Sequence, residues 1–385
     1  MILSIVARQV RITSLYKYVI LQEELSNIGI DLKIYLMKNA YINAVHAIVN
    51  DYKEDPRYSN YCSKILKLNV VYCEGKSKTP ELLNSFVKNG ILDSDYIIWS
   101  AENDKMIFPP NKEIIRKIIF TKLRFCNDVF FHDNFIEKPK MFWFPSRYYN
   151  NHYNISFFMN KFGSKEVINS IGYVSPIELC DVKNPYITLN KNDLIKKYKI
   201  DENKKTFIYY LSRPYLYKSM DYEKDIVDKF LSDKFKSKYN ILFAAKPYNY
   251  LKTDSNYRDV QIIDFFDYDT VMREIVSGVL GGISTATRES LVFEKPVLSV
   301  KTQIIHKKNF PKKRQEITSD GALKQRFPKS GLSNKHQFEG LESLINDDWD
   351  KNIEKMFSVK YDFSMKRKIW CGDISLFDKI KKEFI

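Results

Sequence analysis

Along this chain, short apolar runs rich in Ile, Val, Leu, Phe and Tyr alternate with longer segments of helical pattern from the first residues to about residue 300. Strand, helix, strand is the rhythm of parallel sheets, because parallel neighbours must be joined by a crossover and the crossover is usually a helix. The first half reads as strands at MILSIVAR, IDLKIYLM, LNVVYCEG, DYIIWSA and NDVFFHD. Helices are expected over 14–27 and 40–49, from Pro80 with Glu81 in its first turn, and over 113–123. Five or six parallel strands are therefore expected before residue 150.

Residues 145–162, crowded with Tyr, Asn, Phe and His, have no clean period and read as loop with one helix at most. A short apolar strand follows in SIGYVSPIELCDVKNPY, where Pro176 and Pro185 end regular structure. They predict a domain boundary between Val182 and Asn192. A second alternation then runs through helix 193–198, strand KTFIYYLS, helix 222–231, strands YNILFAAK and VQIID, helix 268–276, strand GVLGGIS, helix 287–293 and strand KPVLSV. A chain of 385 residues exceeds what one hydrophobic core usually organises, so two domains of Rossmann type are expected. Helical patterns at 340–346, 349–356 and 375–384 close the chain.

The apolar start MILSIVA is followed by Arg8 and Arg11 with no small-residue cleavage site, and no apolar run reaches 18 residues. Neither a membrane span nor an export signal is expected. The five cysteines are scattered and form no C-x-x-C pair, which argues against a disulfide framework or zinc site and for a reducing cytoplasm. The formal charge of +15 fits nucleic acid, anionic membrane or anionic substrates as partners, or simply a Lys-rich solvated surface. The segment 301–333 is strongly basic and aperiodic.

The passage VSGVLGGISTATRESLVFEKPVLSV, residues 276–300, has the composition of an anion site: a strand ends in Gly281-Gly282, and a hydroxyl cluster precedes a short helix. Glycine lets backbone approach a phosphate, and the amides of a helix start stabilise its charge. Ser284, Thr285 and Thr287 would add donors. Glu289 can accept the two hydroxyls of a ribose, or simply cap the helix. The passage resembles the C-terminal nucleotide signature of GT-B glycosyltransferases, a Gly/Ser turn leading to Glu and then Lys-Pro, here Gly282, Ser284, Glu289, Lys295 and Pro296. The resemblance implies diphosphate binding by Ser284 and Thr285 and ribose binding by Glu289.

In YYLSRPYLYKSMD, Arg213 and Lys218 stand five apart, as the cations that neutralise the donor diphosphate do in that family, although Ser212 and Ser219 stand where glycines are usual. The alternative is two exposed surface charges. Lys246, after NILFAAK, is a third cation at the same sheet edge. The segment IIDFFDYDTVMREI lies where the family places its nucleobase loop, so Phe266, with Phe265 and Asp267, would line the base pocket, or be plain core. CGDISLFDKIKKEFI resembles the family's closing segment. The implied architecture is α/β, with two Rossmann-like domains facing across a cleft: 1–181 for the acceptor and 182–362 for the nucleotide sugar. Residues 363–385 would return as a helix to the first domain.

In the first domain, Arg8 and Arg11 follow the first strand on the acceptor side. Transfer with inversion needs a general base, and Glu102, Asp104, His132 and Asp133 follow the expected strands at the edge where ligands bind. Asp133 as a turn cap and His132 as an internal hydrogen-bonding group are the structural alternatives. The family's retaining members carry a second Glu eight positions before the ribose Glu. Here that position is Gly281, which points to inversion.

No metal is expected, and DYD at 267–269 reads as a helix cap. No cofactor is expected beyond the nucleotide-sugar co-substrate. The reading is a cytoplasmic glycosyltransferase of surface-polysaccharide synthesis, acting on a glycan or lipid-linked acceptor. Its basic surface would draw it to the anionic inner face of the membrane, each nearby Lys or Arg adding on the order of 1 kcal/mol. A sugar-nucleotide 2-epimerase or polyol-phosphate transferase on the same fold is the alternative. A non-catalytic nucleotide- or nucleic-acid-binding protein is a further one, although no RNA-binding motif is present.

Overall fold

The apolar runs of the first half pair in parallel. The computed structural model describes residues 1–7, 10–37, 46, 49–75, 80–100, 111–121, 137–144, 159–175, 177, 180–211, 220–244, 255–281, 290, 292–299, 349–358, 363–364 and 374–384. These form two compact units, Met1–Thr188 with Arg367–Ile385, and Leu189–Lys366.

Unit 1 runs β1 (Ile2–Ala7), α1 (Leu15–Ser26), β2 (Asp31–Met37), α2 (Ser59–Leu66), β3 (Val70–Cys73), α3 (Pro80–Lys88), β4 (Tyr96–Ser100), α4 (Lys112–Lys117), β5 (Ile118–Thr121), β6 (Met141–Phe144), α5 (Ser164–Ile168) and β7 (Ile171–Tyr173). The strands form one parallel sheet in the order β3-β2-β1-β4-β5-β6-β7. β1 lies inside it and is buried at five of its six positions, as a parallel strand covered on both faces must be. On one face Val6, Tyr35, Trp99, Phe120 and Phe142 pack with Leu82 and Phe86 of α3 and Ile114 and Ile115 of α4.

Strand alternation turns Tyr96 and Trp143 to the opposite face. There they meet Phe384 of the last helix, α11 (Leu376–Phe384), with ring centroids 4.3 and 6.4 Å away. Lys381 of that helix pairs with Glu24 of α1 at 3.0 Å. The end of the chain is thus part of unit 1.

Unit 2 opens with α6 (Lys191–Lys197), whose start is fixed by a reciprocal box. Asn190 accepts from the Asp193 amide and donates its own amide to the Asp193 carboxylate, each at 3.1 Å. β8 (Lys205–Tyr210), α7 (Met220–Leu231), α8 (Asp233–Lys236), β9 (Tyr239–Ala244), α9 (Tyr268–Glu274), β10 (Gly278–Gly281), β11 (Val297–Ser299) and α10 (Trp349–Ser358) follow. The four strands are parallel in the order β11-β10-β8-β9. Phe207, Tyr209, Phe243, Leu280 and Leu298 pack against Ile226, Val227 and Phe230 of α7 and Ile353 and Met356 of α10.

Two helices and one turn close in one way, with a left-handed residue and an amide reaching five residues back. At the end of α1 the left-handed residue is Gly29, with Ile30 N–H bonded to Leu25 O at 2.9 Å. At the end of α6 it is Lys199, with Ile200 bonded to Ile195 at 3.0 Å. The third is Glu294, with Lys295 bonded to Ser290 at 3.0 Å. Lys and Glu bear the steric cost of that conformation, which glycine lacks.

Several local expectations change. The helix expected over 113–123 ends at Lys117, and the next four residues are strand β5. The expected strand VQIID is reduced to one parallel bridge, Ile262 to Phe243. Of the helix expected over 287–293, the described residues Ser290, Val292 and Phe293 are turn. Helix α2 is an addition that the sequence reading did not contain. The expected strand NDVFFHD and helix 340–346 lie outside the described residues. No helix among the described residues is long and apolar enough to cross a membrane.

Candidate functional site

In a parallel sheet every strand ends at the same edge, and loops from adjacent strands diverge where the winding reverses, leaving a crevice for a ligand. In unit 2 the chain starts in β8, steps outward to β9, then returns across β8 to β10 and β11. The reversal lies between β8 and β10. Pairing sets the last residues of the four strands in one row, Ser299, Gly281, Tyr210 and Ala244.

The segments expected to bind the donor leave from this row. Arg213 and Lys218 follow β8, Lys246 follows β9, and Gly282, Ser284, Thr285, Thr287 and Glu289 follow β10. These eight residues lie outside the described residues themselves. The two segments that flank the reversal are those expected to hold the diphosphate and ribose.

The described surroundings of that edge are tightly tied. Tyr210, the last residue of β8, shares a hydroxyl–hydroxyl hydrogen bond with Tyr268 of α9. Tyr268 lies edge-on to Phe293 at 6.1 Å, and the Arg273 guanidinium covers the same ring at 5.1 Å while its Nε donates to Asp269 at 3.1 Å. The Lys295 ammonium donates to the Arg273 carbonyl at 3.4 Å, and burial pulls its pKa down. Lys295 and Arg273 therefore connect the turn before β11 to α9.

The turn at 264–267 carries the expected base-pocket residues. Phe266 is 3% exposed and Phe265 is partly exposed. Asp267 stands at the start of α9 but makes no side-chain capping bond, contrary to the expectation for DYD. Its carboxylate, 0% exposed, instead accepts from Tyr198 Oη and Lys197 Nζ, each at 2.6 Å. Asp269 is engaged by Arg273. Burial, then the charge of Asp267, pushes the Tyr198 hydroxyl pKa far up, so it remains a donor. The sequence reading missed Lys197 and Tyr198, because nothing local links the end of α6 to an aspartate some 70 residues on.

In unit 1 the winding reverses between β1 and β4, where Val6 pairs with Trp99. Arg8 follows the end of β1, and Glu102 and Asp104 follow the end of β4. The three belong to the segments that flank this reversal. His132 and Asp133 lie in the connection from β5 to β6. All five are outside the described residues. Arg11 is described: partly exposed and extended (φ −78°, ψ 137°), it accepts the Ser14 amide at 3.0 Å on its carbonyl. The sequence reading also passed over His46, whose Nε2 lies 2.5 Å from the hydroxyl of Tyr72, the penultimate residue of β3. Burial raises the pKa of that hydroxyl.

Among solved structures, the UDP-GlcNAc 2-epimerase of Methanocaldococcus jannaschii in complex with UDP-GlcNAc and UDP matches 99% of this chain and 99% of its own, at 14% identity and a TM-score of 0.50. The chain has a GT-B fold. The wall teichoic acid polymerase TagF matches at 11% identity and a TM-score of 0.49, covering 100% of this chain and 88% of its own. A glycosyltransferase of Rickettsia africae matches at 12% identity and a TM-score of 0.46, covering 99% and 97%. No protein-family model and no curated protein matches the sequence. What the likeness to the epimerase shows is the fold; chemistry has to be argued from the site.

Proposed function

We propose that the protein acts on a nucleotide sugar, and within that class that it is an inverting glycosyltransferase serving a glycan or lipid-linked acceptor. The observation that supports this most is the common origin of the candidate donor segments at the winding reversal of unit 2, between Tyr210 and Gly281. In this reading Gly282 allows close backbone approach, and Ser284, Thr285 and Thr287 donate to the diphosphate. Arg213, Lys218 and Lys246 neutralise the charge that grows as the nucleoside diphosphate departs, so the step needs no metal. Glu289 accepts the ribose hydroxyls.

One of Glu102, Asp104, His132 and Asp133 takes the proton of the acceptor hydroxyl as its oxygen bonds to the anomeric carbon and the diphosphate leaves from the opposite face. Arg8 and Arg11 lie on the acceptor side. The protein would work in the cytoplasm, at the inner face of the membrane where lipid-linked acceptors gather, in surface-polysaccharide synthesis. Co-sedimentation with anionic vesicles tests that placement.

The deciding experiment is a thermal-shift screen of the whole chain against UDP-, GDP-, dTDP-, CDP- and CMP-sugars. A ligand at a hundred times its Kd stabilises by about 2.7 kcal/mol. No response to any of them sinks the reading. With the nucleotide known, Glu289→Ala should weaken its binding about tenfold or more, whereas loss of the base should abolish transfer and leave donor affinity nearly intact. The full-length fold match to an epimerase supports a second reading, 2-epimerisation of the sugar nucleotide. Conversion of the donor to its epimer with no acceptor present would favour it.

A further inference from the structure

Helices that lead into strands of the unit 1 sheet end at its amino edge, opposite the edge where ligands bind. The five large apolar side chains that stand exposed among the described residues, at 37–57%, all lie there. Leu66 ends α2 before β3, Ile28 follows α1 before β2, and Met1 precedes β1. Val87 lies in the last turn of α3 before β4, and Ile168 ends α5 before β7. Exposed apolar residues scattered singly are ordinary, whereas five gathered on one edge mark an interaction surface.

Four of the five stand over neighbouring strands, in the order β3-β2-β1-β4. Hydrogen bonds tie their segments together: Asp31 N–H to Met1 O and Asp95 N–H to Ile2 O at 2.9 Å, and Gln22 Nε2 to Lys67 O at 3.2 Å. Charges of both signs surround the apolar row. Asp31, Asp93 and Asp95 are exposed, as are Lys67 and Lys88, and among the described residues none of these five forms an ion pair. The Asp95 carboxylate accepts the Ile2 amide at 2.7 Å, and the Asp31 carboxylate accepts from Asn69 Nδ2 at 3.5 Å. These neutral donors position the carboxylates and leave their charge uncompensated.

We infer that the amino edge of the unit 1 sheet docks a second copy of this chain, as a two-fold dimer. The inference is independent of the sugar-nucleotide reading. Three exposed carboxylates repel anionic headgroups and nucleic-acid phosphates, so the edge suits neither a membrane nor a nucleic acid. A two-fold axis sets the same patch against itself, apolar row against apolar row. Because the patch carries unpaired charges of both signs, each copy offers the other the complement that it lacks. The net charge of +15 opposes self-encounter over most of the surface. Screening cuts that repulsion beyond about 8 Å at physiological ionic strength, which leaves the close contact to a patch where both signs are present.

Strands about 4.8 Å apart, with helix layers about 10 Å thick on both faces, give the four-strand footprint on the order of 400 Å² per partner. That is below the roughly 800 Å² of a standard interface, so a reversible dimer is expected, with a Kd on the order of 10⁻⁵ M.

Sedimentation equilibrium of the whole protein between about 5 and about 200 µM brackets that affinity. The average mass should climb from one chain towards two. Ile28→Ser with Leu66→Ser should weaken association about tenfold or more while leaving Tm unchanged, since both side chains face solvent within one copy. Asp31→Lys with Asp93→Lys makes the edge mostly basic, and Lys67→Glu with Lys88→Glu makes it acidic. Each of these two variants alone should be monomeric, and an equimolar mixture of them should recover the dimer.

Wild type that stays a single chain at about 200 µM would overturn the inference. So would a dimer that the Ile28 and Leu66 changes leave intact, because the contact then lies elsewhere, or charge variants that fail to associate when mixed. Monomeric wild type that sediments with phosphatidylglycerol vesicles, and loses this with the Ile28 and Leu66 changes, would assign the edge to membrane instead. If a charge variant does not fold, the Ile28 and Leu66 variant decides.

Discussion

Among the described residues of unit 1, the buried polar side chains are neutral apart from Lys17, whose ammonium donates to the Cys180 carbonyl at 2.7 Å. Ser4 and Ser94 bond to each other at 2.6 Å, in the manner of a sheet interior that needs only local satisfaction. Unit 2 buries two carboxylates, Asp267 and Asp269, within three residues of each other, next to the edge from which its candidate donor segments leave. Desolvating a carboxylate costs several kcal/mol and is tolerated only with close partners. The contrast teaches that unit 2 spends its costly interactions around the start of α9, where Asp267 is held by Lys197 and Tyr198 and Asp269 by Arg273, while unit 1 assigns its interior to apolar packing.

The sharpest way to break this comparison is to remove one buried group from each unit. Asp267→Ala leaves Lys197 and Tyr198 without their shared acceptor and should cost about 3–5 kcal/mol. Ser94→Ala in unit 1 should cost only about 1 kcal/mol. Denaturant midpoints of the two variants measure the difference, and equal losses would erase the distinction between the units.

The helix closures offer a finer comparison. Gly29→Ala should cost about 1 kcal/mol from backbone strain alone, since nothing lies within 4 Å of the added carbon. Lys199→Gly should raise stability by about 0.5 kcal/mol, because the relief of strain exceeds the entropy that glycine adds to the unfolded chain. Thermal melts of the two variants check the opposite signs.

The smallest effect is expected at the surface of unit 1. Burial of Glu23 would raise its pKa, but hydrogen bonds from Lys64 at 2.5 Å and Tyr186 at 2.6 Å outweigh that and hold it below the ordinary value. The folded-state pKa is thus depressed. Its contribution is complete above the unfolded value and is lost as pH falls through the folded one. The Tm difference between wild type and Glu23→Gln should therefore shrink on acidification, and a difference that grows would refute the assignment.

Much of this organisation was legible in the sequence where a run was both apolar and bounded. KTFIYY, YNILFA and GVLG could be placed because each is a continuous apolar run between turn residues, as a strand buried on both faces must be. KEIIRKIIFT could not. Ile114, Ile115, Ile118 and Ile119 fit a helix as well as a helix followed by a strand, and all four are fully buried. The backbone becomes extended at Ile118 (ψ 130°), where β4 and β6 supply hydrogen-bonding partners on either side. The candidate donor residues were legible because glycines, hydroxyls and cations cluster locally after strand ends. The Lys197–Tyr198–Asp267 clasp was not, because its members share no local pattern.

The sequence by itself determined the class of fold and the strand ends after which chemistry-bearing residues gather, because burial on both faces and crossover helices leave a local imprint in composition and period. Only the tertiary structure decided which strands are neighbours, where the winding reverses, and that a lysine and a tyrosine from one helix end hold an aspartate before another. Those depend on hydrogen bonds and charge pairs between distant segments, whose energies exist only once the sheet has brought them together.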